Sequence, residues 1–336
     1  MAAIPMAEIW RGGMLESVHT GHAVVCGPGG IVEAWGDPEA VIFPRSSCKM
    51  LQALPLITSG AADAAGLTER QLALSCASHQ GAAIHTEAVT AWLAGLGLSE
   101  ADLRCGTHWP YDEPARDGLI KTDSSPCQIH NNCSGKHSGF LTLNQHLKSG
   151  PEYTELSHPV QQAVKAATED ACGEDSPGYG IDGCSAPNFA ISVHGLARAM
   201  AFFAAANPEG DRKNRAAARL TRAMATYPEM VAGEGRSCTH LMRAMGGKVA
   251  IKTGAEAVFV AILPEKKLGI ALKIVDGGTR GAEAAITGLL IKYGVLDAAH
   301  PAALRYVGGV QKNWRGLETG TVKLATGFAQ TPFSFG

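Results

Sequence analysis

Two serines and two lysines define the chemistry that this chain can attempt. Ser46 and Lys49 stand three residues apart in the run Phe43-Pro44-Arg45-Ser46-Ser47-Cys48-Lys49. On a helix, residues i and i+3 share a face. A serine hydroxyl is a weak nucleophile until a base takes its proton. A lysine amine can be that base when burial or a neighbouring cation lowers its pKa. The N-terminus of a helix starting here adds a positive end that favours a developing oxyanion. Taken alone, the same spacing describes an N-cap serine beside an exposed lysine.

Lys252-Thr253-Gly254 lies at the end of an expected strand near the C-terminus. Penicillin-binding enzymes and β-lactamases carry Ser-x-x-Lys and Lys-Thr-Gly in this order, the first opening a helix and the second on a sheet. Their third motif, Ser-Asp-Asn, is absent, which argues against a true β-lactamase. Ser78, in Ser75-Cys76-Ala77-Ser78-His79-Gln80-Gly81, follows an expected helix and offers a second hydroxyl for proton relay.

A third cluster is rich in soft ligands. Asn131-Asn132-Cys133-Ser134-Gly135-Lys136-His137 and Asp182-Gly183-Cys184-Ser185-Ala186-Pro187 lie in two long loops. Cys133 and Cys184 as thiolates suit Zn²⁺, with His137 the third ligand by chemistry and His130 a distant fourth. Packing as small hydrophobes is the competing role for both thiols.

The elements that must position these groups follow from pattern. Residues 22–26 and 31–35 flank Gly27-Pro28-Gly29-Gly30, a hairpin with a four-residue turn. Residues 248–252, 256–263 and 268–275 read as strands, with a helix over 282–293. Helical spacing runs through 46–57, 69–77, 85–95, 159–172, 190–206 and 212–227. Residues 105–138 and 173–188 read as long functional loops, and 316–336 as irregular. The expected class is α+β. N- and C-terminal strands form one antiparallel sheet (roughly 1–42 and 245–320). A helical lobe (roughly 43–244) packs on it within a single catalytic domain, with a cleft between the lobes.

Composition bounds the partners. The chain has 336 residues, 46% of them hydrophobic, and a net charge of −2, with no basic stripe for nucleic acid. There is no signal-peptide pattern and no 18-residue apolar run, so the expectation is a cytoplasmic chain off the membrane. Nine cysteines, an odd number, in a chain this long fit a reducing compartment.

Together these runs resemble the class 3, Rhizobium etli-type L-asparaginases over nearly the whole chain. The resemblance rests on Arg11-Gly12 with Glu16-Ser17-x-His19-x-Gly21, Phe43 to Lys49, Ala77-Ser78-His79, Cys133 to His137, Asp182 to Pro187 and Lys252-Thr253-Gly254-Ala255-Glu256. It implies a serine β-lactamase and glutaminase-like fold, a homodimer, and hydrolysis of L-asparagine to L-aspartate and ammonia. It implies two Ser–Lys pairs, Ser46 (the nucleophile) with Lys49 and Ser78 with Lys252. It further implies one zinc ion on Cys133, Lys136 and Cys184, which puts Lys136 in place of His137. Arg45, His137 and Asp182 then fall to substrate binding. A glutaminase or a β-lactamase-like serine hydrolase is the alternative.

Overall fold

The computed structural model describes residues 1–329. Its strands are β1 (Ile4–Arg11), β2 (Met14–Gly27), β3 (Gly30–Trp35), β4 (Val41–Ile42), β5 (Tyr179–Ile181), β6 (Pro187–Phe189), β7 (Ile191–Ser192), β8 (Ala250–Gly254), β9 (Val258–Leu263), β10 (Leu268–Ile274), β11 (Val310–Lys312) and β12 (Glu318–Leu324). The helices are α1 (Lys49–Thr58), α2 (Ala61–Ala64), α3 (Glu69–Ser75), α4 (Ala83–Gly95), α5 (Glu113–Lys121), α6 (Ser134–Leu147), α7 (Pro159–Cys172), α8 (Val193–Ala205), α9 (Arg212–Thr226), α10 (Pro228–Val231), α11 (Ser237–Ala244), α12 (Thr279–Lys292) and α13 (Pro301–Tyr306). The α+β class expected from the pattern is what forms. Among the described residues no helix is long and apolar enough to cross a membrane.

The chain divides into two compact units. One holds Met1–Ser47, Ile191–Ala205 and the chain from His240 onward; the other holds Cys48–Ala190 and Ala206–Thr239. The first unit is built on an antiparallel sheet of order β11-β12-β1-β2-β10-β9-β8, with β3 also paired to β2. The long strand β2 explains the branch. Its first half pairs with β1 (Ile4↔Gly21, Arg11↔Met14), and its second half with β3 (Ala23↔Trp35). N-terminal and C-terminal strands meet where β10 joins β2, with Val25 opposite Ile270. Ala23 to Cys26 and all of β9 are buried in succession. Successive side chains point to opposite faces, so both faces are covered, and α8 and α12 provide the cover.

Several expectations change here. Gly27 pairs with Gly30, so the hairpin turn holds two residues, Pro28 and Gly29, rather than four. The expected irregular tail contains β12, which pairs with β1 (Ile9↔Val322); residues 330–336 of that tail lie outside the described residues. The helix expected over 190–206 in the helical lobe belongs to the sheet unit, as α8. Its alanines allow this. A Cβ on Gly269 of β10 would lie 2.0 Å from the Ala201 backbone nitrogen, so strand and helix touch backbone to backbone.

The second unit is helical. All of α1 from Lys49 to Ile57 is buried, the pattern of a central helix, and α6, α7 and α9 surround it. Its neighbours have well-made ends. Thr68 and Gln71 form a capping box on α3, Asp211 caps α9, and α7 starts with Pro159 after a His158 cap and stops at left-handed Gly173. The loop expected over 105–138 contains α5 and the start of α6.

Two glycines give opposite tests of this packing. Gly269→Ala should cost at least about 3 kcal/mol in urea unfolding, because the added methyl meets α8 backbone. Gly118→Ala, on exposed α5 with open space around it, should stabilise by about 0.5–1 kcal/mol in the same measurement.

Candidate active site

Ser46 sits on a strained turn of the sheet unit. Arg45, just before it, holds φ +51°, a left-handed conformation that a non-glycine residue adopts only when its surroundings impose it. Residues Arg45–Cys48 form a 3₁₀ turn and α1 begins only at Lys49, so Ser46 lies before the α-helix rather than inside its first turn. Ser47 gives its backbone N–H (3.2 Å) and its hydroxyl (2.7 Å) to the Pro44 carbonyl. That fixes Ser47 in the turn, while the Ser46 side chain beside it is half-buried.

The Lys-Thr-Gly strand end comes directly against this turn. A Cβ on Gly254 would lie 2.7 Å from the Pro44 carbonyl oxygen and 3.0 Å from the Ser47 nitrogen. Glycine is therefore the residue that lets β8 approach. Lys252, two residues earlier, is 1% exposed and donates to the Thr253 carbonyl at 2.7 Å. The Ser46 turn and the Lys252-Thr253-Gly254 strand end thus meet within the sheet unit.

The helical unit gathers the other group. Lys49, also 1% exposed, donates to the Ala77 carbonyl, to Ser78 Oγ at 3.1 Å and to Cys133 Sγ at 3.1 Å. Ser78 follows α3 and is pinned by its N–H on the Val231 carbonyl, 2.9 Å away. Cys133 is the residue before α6. Asn131 orients it, accepting the Cys133 N–H at 2.8 Å while its amide donates to the Cys105 and Gly106 carbonyls.

Lys136, in the first turn of α6, donates to Cys184 Sγ at 3.0 Å. Gly135 beside it is a close-approach residue, since a Cβ there would lie 2.4 Å from the Leu74 carbonyl of α3. Cys184 is buried in a tight turn. The Ser185 N–H bonds to the Asp182 carbonyl at 2.8 Å, and Ser185 holds φ +67°. Asp182 itself is half-exposed, its carboxylate bonded to the Gly183 N–H at 2.7 Å.

The charges in this cluster are unequal. A hydrogen bond from Cys133, then the Lys136 cation, hold the Cys184 thiol well below its ordinary range despite burial. That same bond and burial push Cys133 well up. Burial opposes the Lys136 ammonium, yet the neighbouring sulfurs outweigh it and raise its pKa. Of the two sulfurs, Cys184 is the one held toward its thiolate form. Among the described residues no group of three or more His, Cys, Asp or Glu is placed to hold a metal ion. The set brought together is two sulfurs and an amine, and it suits zinc once the amine and the second thiol lose their protons.

His137 is buried beside it. Burial lowers its pKa to about 4, so the ring is neutral. Nδ1 pairs with the Tyr153 hydroxyl at 2.9 Å, and Nε2 is buried without a hydrogen-bond partner. Tyr153 and Asn131 were not legible as site residues. Tyr153 sits 16 positions beyond His137 in an irregular segment, and no local spacing connects them. The doubled asparagine before Cys133 was the available signal for Asn131.

No curated protein sequence matches the chain. Among solved structures, a β-lactamase from Mycobacterium bovis is 14% identical with a TM-score of 0.44, the alignment covering 78% of this chain and 89% of that one. Mglu in its native form is likewise 14% identical, with a TM-score of 0.46, covering 83% of this chain and 66% of that one. The family profile of L-asparaginase II matches residues 7–324. By that match, which spans every motif described above, the chain belongs to the L-asparaginase II family.

Proposed function

We propose that this protein hydrolyses L-asparagine to L-aspartate and ammonia, with Ser46 as the nucleophile. The observation that carries the reading is the packing of Gly254 on the Pro44–Ser47 turn. It sets the Lys252 strand end beside the strained turn that presents Ser46. Lys49 follows Ser46 by three residues along one continuous helical stretch, and its amine already shares a hydrogen bond with Ser78.

The chemistry then runs in two halves. Ser46 Oγ attacks the side-chain amide carbon while its proton passes to the Lys49–Ser78 pair, which holds protons as one unit. Backbone N–H groups of the 3₁₀ turn, that of Ser46 among them, stabilise the oxyanion. The C–N bond breaks, the returned proton leaves on ammonia, and a β-aspartyl ester stays on Ser46. Water, deprotonated by the same pair, attacks the ester and frees aspartate. Lys252 adds positive charge beside the turn. Arg45 and Asp182 carry the charges that match the α-carboxylate and α-ammonium ends of asparagine, and the buried His137 ring offers a polar contact.

Zinc belongs in this reading on Cys133, Lys136 and Cys184. Held by these residues, it would supply a fixed positive charge for the substrate carboxylate. A homodimer is the assembly proposed with it, which sedimentation velocity checks.

Ser46→Ala should reduce ammonia release from asparagine by at least about 10³-fold with the melting temperature kept. Full activity in that variant removes Ser46 as the nucleophile. Lys49→Met and Lys252→Met should each cost about 10²-fold or more. Glutamine and a chromogenic β-lactam, run beside asparagine, separate the proposed substrate from its rivals. Elemental analysis should find about one zinc per subunit. Cys133→Ser should lose most of it, and unchanged zinc content sinks the ligand assignment.

A further inference from the structure

His79 follows Ser78 directly and has no part in the chemistry above, yet it is wholly buried and fully engaged. Its proton is located by its partners. The Ser134 hydroxyl has one hydrogen, and it goes to the Ile129 carbonyl at 2.8 Å. The contact of 2.9 Å between His79 Nε2 and Ser134 Oγ must therefore be donated by the ring. Nδ1 meanwhile accepts the Gly81 N–H at 3.1 Å. Both contacts require the same species, a neutral imidazole protonated at Nε2. A second ring lies flat against it. His85 stacks at 4.8 Å with planes 12° apart, and its Nε2 donates to the Glu229 carbonyl at 2.8 Å. Burial foremost, then the charge of His85, hold the His79 pKa well below its ordinary value.

The ring joins two segments that the site needs together. Ser78 and Cys133 both accept from the Lys49 amine at 3.1 Å. One residue further along each segment, His79 reaches Ser134, and the His79 N–H bonds to the Asn132 carbonyl at 3.2 Å. The two segments are thus held by successive rungs, the lysine amine on one and the imidazole on the next.

We propose that His79, as the neutral Nε2–H tautomer, is a positioning residue. It sets the spacing between Ser78 and the start of α6 so that one lysine amine reaches both Ser78 Oγ and Cys133 Sγ. The inference rests on the function proposed above for its consequence in turnover, but its geometry can be read without turnover.

Nitrogen NMR of histidine-labelled full-length protein at neutral pH should show His79 protonated at Nε2 alone. A cationic ring or an Nδ1–H tautomer overturns the proposal whether or not asparagine is a substrate. The amide shifts of both Ser78 and Cys133 should move in His79→Leu and return in His79→Gln, whose amide can still donate to Ser134. Unmoved shifts in the leucine variant count against it. In steady-state assays His79→Leu should lower kcat by about 10- to 100-fold with KM changed less than about threefold. His79→Gln should recover most of the loss. Ser134→Ala should lose a similar factor, and the double variant should be little worse than either single one. Additive losses, or equal losses in kcat and affinity, exclude the positioning role. If His79→Leu does not fold, Ser134→Ala and the wild-type tautomer still decide. Absence of ammonia release from the wild-type chain fails the asparaginase reading alone, and the ring and amide signals then judge His79 by themselves.

Discussion

A lysine amine buried in the interior must find hydrogen-bond partners there, and much of the helical unit is arranged to meet that demand at Lys49. Leaving a charge in a low-dielectric interior without partners costs several kcal/mol. Lys49 is therefore tolerable at the head of α1 only if two other chain segments bring three partners to it. The end of α3 brings the Ala77 carbonyl and the Ser78 hydroxyl, and the residue before α6 brings the Cys133 thiol. Gly135 lets α6 come close enough to α3 for this. The fixed spacing of Ser78, Cys133 and Lys136 is thus a consequence of burying one amine.

The sheet unit solves a matching problem with glycine. A serine on a strained turn must be held from behind, or the turn relaxes. Gly254 allows the end of β8 to press on the Pro44 carbonyl and the Ser47 nitrogen, while both donors of Ser47 tie back to Pro44. A side chain at 254 would push the strand off and release Arg45 from its left-handed backbone. Lys-Thr-Gly reads here as one instruction in two parts: an amine on the strand, and a bare position where the strand meets the turn.

How much of this the sequence disclosed depended on whether the signal was local. The hairpin of β2 and β3, the strands β8 to β10 and most helices of the helical unit followed from apolar period and turn residues. The start of α6 did not, because Ser134, Gly135, Ser138 and Gly139 are poor helix formers. They stand there to let neighbouring helices approach and to accept hydrogen bonds, a tertiary reason with no local trace. β12 escaped for a similar cause: Gly320 and two threonines obscure its alternation, and pairing with β1 decides it. At the site, residues three apart or joined in one run were legible. Contacts across long separations, such as His137 with Tyr153 or Lys49 with Cys133, were not.

The cysteines show why burial alone does not make a site. Burial first, with little to oppose it, pushes the Cys26 thiol up to about 11 and the Cys48 and Cys105 thiols up to about 12. Those sulfurs behave as small apolar groups. Cys184 is equally buried and goes the other way, because a thiol donates to it and a lysine cation faces it. The difference lies in two neighbours that a tight turn and one helical turn of α6 deliver to the same point. Cys48 sits one residue before Lys49 yet is left protonated. Cys184 sits far along the chain yet its thiol is held well below the ordinary range. Position in the sequence identified the cysteines worth examining, but the donors that surround each sulfur decide which of them can bind a cation.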